Sequence, residues 1–284
     1  MTHGELCREA EQQLAAAGIP GAGVEARAML CAALCAKYDD YFRLREQKAS
    51  AETEQSYRQM IERRLSGCPA AYICGEWEFF GLEFCVTESV LIPRSDTETL
   101  VEQALLLAGG RCGLKLLDLC CGSGCIGISV AKNLPEAELT LSDISADALV
   151  VAEKNAGTHL AEEMYATELR DARTIREPEP KYDFVFCNPP YVTEREWQEL
   201  ESTVRDFEPR LALVGEEEGL EFYRCVPVAV LPAMAPEGWL LFECGAGQAT
   251  DVAEILVGEG WRDIQCIQDS AGIDRVVCAH APRN

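Results

Sequence analysis

The sequence predicts an α/β protein: a doubly wound, mostly parallel sheet with a small helical N-terminal domain and a β-hairpin linker ahead of it. Three observations predict this. Residues 1 to about 70 carry apolar side chains at helical spacing. Residues 72–92 turn aromatic and β-branched, and from about Gly113 strand-like runs alternate with helical ones. The expected segments are 1–70 helical, 71–94 linker and 95–284 sheet domain.

Leu6, Ala10, Leu14 and Ala17, then Ala26, Met29, Leu30, Ala33 and Leu34, mark two amphipathic helices. Gly18, Pro20, Gly21 and Gly23 punctuate them. A third helix runs from about Ala51 to Leu65 and ends near Gly67 and Pro69. The stretch YICGEWEFFGLEFCVTESVLI, broken by Gly75 and Gly81, reads as the hairpin. A helix follows Arg94, with Ser95 or Asp96 as its N-cap and Glu98 nearby. Six strands come next: LKLLDL, AELTLSDI, DFVFCNPP, GWLLFEC, DIQCIQ and DRVVCAH. In such a sheet, ligands bind beyond the carboxyl ends of the strands, at the switch point of the strand order.

A formal charge of −23 argues against a stable grip on a phosphate backbone, which needs clustered Lys and Arg, and favours a basic protein partner. The start MTHGELCREAEQQLAAAG has no basic region ahead of an apolar one, and no apolar run approaches the roughly 20 residues of a membrane span. A cytoplasmic location is expected. The fifteen cysteines sit scattered in apolar segments, without facing Cys-x-x-Cys pairs and with only three histidines. They read as free thiols packing as small hydrophobes in a reducing compartment, and no metal site is expected.

The first strand of the sheet runs into Asp118-Leu119-Cys120-Cys121-Gly122-Ser123-Gly124 and then the helix CIGISVAKNL. Glycines let the backbone approach a ligand, and the helix start offers free N–H groups. Asp143 closes the second strand, nineteen positions after Gly124, where a carboxylate accepts both ribose hydroxyls of an adenosine. Tight structural turns use Gly-x-Gly as well, so the order strand, turn, helix, strand, acid carries the weight. The first position of a full dinucleotide fingerprint is Cys120, not glycine, which favours S-adenosylmethionine over NAD.

The third of these strands delivers Asn188-Pro189-Pro190-Tyr191. Two prolines turn the chain outward and stiffen it. An amide or exocyclic amine has two N–H donors and a weakly nucleophilic nitrogen. The Asn188 side-chain oxygen and the Pro189 carbonyl can accept those hydrogens, fix the nitrogen and stabilise the charge that develops on it. Tyr191 can pack on the flat target group. The plainer alternative is a proline-rich strand cap with Tyr191 as a packing aromatic.

With these residues in place, the sequence resembles the release factor glutamine methyltransferases, the PrmC/HemK family, over essentially the whole chain. The resemblance lies in PAAYICGEWEFFGLEF, LIPRSDTETLVE, DLCCGSGCIGISVA, NPPYV, FEPRLAL, FECGAGQ and AGIDRVV. It implies a Rossmann-like class I methyltransferase sheet that uses S-adenosylmethionine and leaves S-adenosylhomocysteine. It also implies methylation of the glutamine side-chain nitrogen (N5) in the Gly-Gly-Gln motif of bacterial class 1 release factors, with residues 1–70 docking the factor. By resemblance, Cys120, Cys121, Gly122, Ser123, Gly124 and Asp143 hold the cofactor, Leu169 contacts adenine, and Asn188 touches both cofactor and glutamine. Pro189, Pro190 and Tyr191 complete the substrate pocket. Arg94 is either a substrate contact or the partner of Glu98 or a sheet-edge carboxylate. Glu243 stands at a strand end or beside the cofactor. Many members have Gly-Thr-Gly where this chain has Cys120-Cys121-Gly122, and Ser95 replaces a usual proline. The rival function is an amino methyltransferase of a nucleic-acid base, which shares Asn188 to Tyr191, or of another protein glutamine; stable nucleic-acid binding is not expected.

Overall fold

The fold is described from a computed structural model, which describes residues 1–175, 181–216 and 218–282. The chain forms two compact units. One joins Met1–Glu76 with Glu201–Phe207, and the other joins Trp77–Leu200 with the chain from Glu208 onward.

The first unit contains α1 (His3–Ala16), α2 (Ala22–Ala33) and α3 (Ala51–Leu65). Thr2 opens α1 with a reciprocal cap: Glu5 N–H donates to the Thr2 hydroxyl at 3.2 Å, and Thr2 N–H donates to the Glu5 carboxylate at 2.8 Å. Leu6, Leu14, Met29, Leu30 and Ile61 make the core. Tyr57 joins them with its hydroxyl donated to the Ala26 carbonyl at 2.9 Å, so its buried polar atom is satisfied. Gly67, at φ +103°, sits against the ring of Phe207, where a Cβ would approach to 3.1 Å. That contact ties the later segment to this unit.

The linker differs in detail from the expectation of a strand beginning near Tyr72. Ala70–Cys74 is a helical turn, entered from Pro69 and stopped by Gly75 at φ +78°. The hairpin proper is β1 (Glu76–Phe79) and β2 (Leu82–Cys85), closed by Phe80 and Gly81, both at positive φ as a tight two-residue turn demands.

The second unit is built on seven strands: β3 (Lys115–Leu119), β4 (Glu138–Asp143), β5 (Tyr165–Leu169), β6 (Tyr182–Cys187), β7 (Met234–Glu243), β8 (Arg262–Gln268) and β9 (Asp274–His280). Their order is β5-β4-β3-β6-β7-β9-β8, with β9 antiparallel to both neighbours and the other pairs parallel. The main helices are α4 (Glu98–Ala108), α5 (Cys125–Lys132), α6 (Ala146–His159), α7 (Glu221–Val230) and α8 (Ala249–Gly258). β5 adds a seventh strand to the six read from sequence. Its residues Tyr-Ala-Thr-Glu-Leu are all at least partly exposed, so it lacks the apolar run that marks the central strands.

Successive residues of the central strands feed opposite cores. Leu116, Phe184, Phe186 and Leu241 pack on one side with Leu100, Ile128 and Leu139. Leu117, Val185, Leu240 and Phe242 pack on the other with Tyr223, Val252 and Leu256. Cysteines share in this packing: Cys278 lies in the first core, Cys187 and Cys244 in the second, and all fifteen are free thiols. Among the described residues, no helix is long and apolar enough to cross a membrane.

The start of α4 departs from the expected cap. Ser95–Thr97 form a 3₁₀ turn and α4 begins at Glu98, with no side-chain cap. The candidate cap Asp96 and the Glu98 expected to complete it are engaged elsewhere. Glu98 accepts the Phe80 N–H at 2.9 Å, at the hairpin turn, and Asp96 pairs with Arg275 at 3.2 Å.

Candidate active site

The strand order reverses between β3 and β6. Their register pairs Leu119 with Cys187, so Cys120 and Asn188, the next residues on each strand, emerge side by side. A cavity of about 430 Å³ opens there, lined by Cys120–Ser123, Asp143, Asn188 and Pro190 among others. That volume lies in the range of small-molecule sites.

The loop after β3 is shaped by its backbone. Gly122 and Gly124 have φ of +53° and +78°, and Cys120 adopts the same left-handed region at +53°. A Cβ at Gly122 would meet nothing within 4 Å, so this glycine faces open space. At Gly124 it would lie 2.9 Å from the Ile128 side chain, and at Gly127 it would press on Leu139 and Asp118. Glycine at both positions lets α5 come down onto the sheet with its N-terminus at the cavity.

Two acids organise the loop from below. Asp143 Oδ2 accepts the Gly122 N–H and Oδ1 the Ser145 N–H, each at 2.9 Å. Burial raises its pKa, and the N–H groups of Ser145, Gly122 and Ile144 pull it back. Each oxygen keeps a lone pair for a hydroxyl donor. Asp118 is buried beneath, with Oδ2 accepting the Gly127 N–H at 2.8 Å and Oδ1 without a partner among the described residues. Burial pushes its carboxyl up to about 7; the Gly127 N–H opposes this and the Asp143 charge adds to it. Asn155 ties the hairpin to the loop, taking the Cys85 N–H at 2.7 Å and donating to the Ser123 carbonyl at 2.9 Å. An open glycine, a helix N-terminus at the cavity and a carboxylate with spare lone pairs fit the adenosine and amino-acid portions of S-adenosylmethionine.

Asn188 and Pro190 line the cavity; Pro189 is buried and Tyr191 is half-buried in the second core. Glycines hold this tetrapeptide from behind. A Cβ on Gly215 would reach 2.6 Å from the Pro190 carbonyl, and one on Gly219, at φ +70°, would overlap the Tyr191 carbonyl. Gln248 donates to that same carbonyl at 3.3 Å and accepts the Gly245 N–H at 2.9 Å. Burial and the nearby Glu243 charge push the Tyr191 hydroxyl up to about 12, so it stays protonated.

Arg94 lines the cavity and pairs at 2.5 Å with Glu208, which also accepts the Ile92 N–H at 3.2 Å. Its partner is therefore Glu208 rather than Glu98, and the ion pair braces the wall formed by residues 88–94 against Pro209 and Leu211. Leu169 ends β5 with an exposed side chain, while the cavity wall beyond it is made by Arg170–Arg173. Arg173 is fixed there by Asp171 at 2.8 Å and Glu221 at 3.1 Å. Sequence reasoning missed Asp118, Glu208, Asp171, Arg173, Gly215 and Gly219 as parts of the site. For Glu208 the signal was available in the Glu-Pro-Arg stretch; the acids after β5 were hidden with the strand itself. Among the described residues, no group of three or more His, Cys, Asp or Glu could hold a metal ion.

Residues 97–207 match the family model of the methyltransferase small domain, and residues 5–75 match that of the PrmC N-terminal domain. The release factor glutamine methyltransferase of Koribacter versatilis is 35% identical over 282 residues, covering 99% of each chain. That of Geobacter sulfurreducens is 38% identical over 266 residues, 93% of this chain and 91% of its own. The crystal structure of the hMettl16 catalytic domain with the MAT2A 3′UTR hairpin 1 superposes with a TM-score of 0.58 at 16% identity, over 90% of this chain and 91% of that one. At that identity the likeness is one of fold.

Proposed function

The chain belongs to the release factor glutamine methyltransferase family, and on that premise we propose that it methylates the N5 nitrogen of the Gly-Gly-Gln glutamine in bacterial class 1 release factors. S-adenosylmethionine supplies an electrophilic methyl group when bound. The observation that carries the reading is the placement of Asn188-Pro189-Pro190-Tyr191 beside the Cys120–Gly124 loop, through the pairing of Leu119 with Cys187.

The chain's own groups do the rest. The N–H groups at the start of α5 and the Asp143 carboxylate hold the donor. Asn188 Oδ1 and the Pro189 carbonyl accept the two N–H groups of the glutamine amide, which orients its nitrogen and favours the positive charge that grows there. Pro190 and the protonated Tyr191 flank the flat amide, and Arg94, held by Glu208, supports the pocket wall. No strong base is needed before transfer, because the N-methylated amide sheds its extra proton readily to water. Residues 1–70 dock the release factor. The charge of −23 supports a basic protein surface as partner over a nucleic acid.

The test uses three acceptors with labelled S-adenosylmethionine: a Gly-Gly-Gln peptide, its Gly-Gly-Glu counterpart, and an adenine-containing oligonucleotide. Label on the glutamine peptide alone is the expected result, since a carboxylate has no N–H to offer. Label on the oligonucleotide alone would move the activity to nucleic-acid amines.

A further inference from the structure

Glu243 is buried directly behind the acceptor site without lining the cavity. In the parallel pairing of β6 and β7, Cys187 lies opposite Phe242, so Glu243 ends its strand next to Asn188. It is 2% exposed, and its Oε2 has no partner among the described residues. Thr97 and Asn188, which do line the cavity, neighbour this carboxylate. A strand end needs no buried acid, and burying a carboxylate carries a desolvation cost.

We propose that Glu243 is a positioning residue for methyl transfer: it accepts an N–H from the Asn188 carboxamide and thereby turns Asn188 Oδ1 toward the substrate nitrogen. The inference deepens the reading of Asn188 given above and rests on it. A carboxamide has two ends of nearly equal shape, one that donates and one that accepts, and its neighbours decide which way it faces. An ionised carboxylate only accepts. Placed behind Asn188, it selects the amino end for itself and leaves the oxygen for the glutamine N–H. A neutral acid or a glutamine at 243 can also donate, so the wrong orientation becomes available.

The surroundings make this group titratable. Burial pushes the Glu243 carboxyl up to about 7; hydrogen bonds from Thr97 and Asn188 and the Arg275 charge oppose the shift, while Asp96 adds to it. Arg275, on β9, is itself shared with Asp269 at 3.3 Å, Asp96 at 3.2 Å and the Cys244 carbonyl at 3.3 Å, so it does not belong to Glu243 alone. Tyr191, Tyr223, Cys125 and Cys244 also feel the Glu243 charge, and burial raises each of them, so they stay neutral near pH 7.

The experiment compares wild type and Glu243→Gln at saturating S-adenosylmethionine on a Gly-Gly-Gln peptide, from pH 5.5 to 8.5 (about one and a half units either side of the expected midpoint). Wild-type kcat should rise with pH through an acid limb near 7. The variant should lose about tenfold in kcat at pH 8, the scale of one misdirected hydrogen bond to a reacting group. It should also lose the acid limb, keep its KM for S-adenosylmethionine within about twofold, and melt no lower than wild type. A variant with the wild-type kcat and the same acid limb overturns the inference while leaving the function standing. So does a wild type whose kcat is flat across this range. A wild type that transfers nothing to the peptide overturns the function, and the inference with it.

Discussion

The two ends of the cavity are built on different principles. The end formed by Cys120–Gly124 and Asp143 is a backbone device: Gly122 leaves it open, the start of α5 lies at the cavity, and the acid stitches the loop together. The end formed by Asn188–Tyr191 depends on the Asn188 side chain and on a main chain held from behind by Gly215, Gly219 and Gln248. A backbone cradle tolerates changes of side chain. An acceptor side chain such as Asn188 works only with the right atom in the right orientation. Specificity for an amide should therefore reside at the second end and cofactor affinity at the first.

The sharpest test of that division is Asn188→Ala. It should lower methyl transfer by about 10²–10³-fold, as for removal of a group that stabilises developing charge. Calorimetry of S-adenosylmethionine binding should change far less. Comparable losses in both would dissolve the distinction between the ends.

A pair of glycine substitutions reads the same contrast through stability. Gly219→Ala meets both a left-handed φ and the Tyr191 carbonyl, and should cost about 2–4 kcal/mol with loss of activity. Gly122→Ala meets the φ strain but open space, so about 1 kcal/mol is expected. Thermal denaturation of the two variants checks the order, and equal losses would mean that the tetrapeptide is not held from behind.

The buried acids give a pH signature. The Asp118 carboxyl rises from 3.8 to about 7, so its stability contribution is full below about pH 4 and is lost as pH climbs through 7. Glu243 has the same sign. The melting temperature of the ligand-free protein should thus fall between about pH 5 and pH 8, and Asp118→Asn should flatten part of that slope. A melting temperature that rises over this interval would contradict the burial argument.

The smallest effect belongs to Cys120→Gly. It relieves a left-handed conformation at φ +53° that disfavours any residue with a Cβ, and should stabilise the protein by no more than about 1 kcal/mol. Cofactor affinity should stay within about twofold, since backbone groups carry the binding. A large loss of affinity would show that the thiol, not the turn, matters.

The same division explains what was legible in the sequence. Gly122, Gly124 and Asp143 announce themselves by spacing, because a strand, a tight turn and a helix start impose residue types locally. Asn188-Pro189-Pro190-Tyr191 is equally local. The supports behind it are not. Gly219 is required by a carbonyl 28 residues earlier, Glu208 by Arg94, and Glu243 by the pairing of β6 with β7. Such demands arise only once the strands are ordered, so no run of residues displays them. β5 escaped for a related reason: an edge strand with Thr and Glu does not have to look apolar. The cap of α4 went astray because Asp96 and Glu98 are spent on Arg275 and on the hairpin turn.

The most direct test of the account is mass spectrometry of an intact bacterial class 1 release factor after incubation with S-adenosylmethionine and this protein, in parallel with Asn188→Ala. The account predicts a single added methyl on the Gly-Gly-Gln glutamine with wild type and essentially none with the variant. No methyl on that glutamine, or an equal amount with Asn188→Ala, would contradict it.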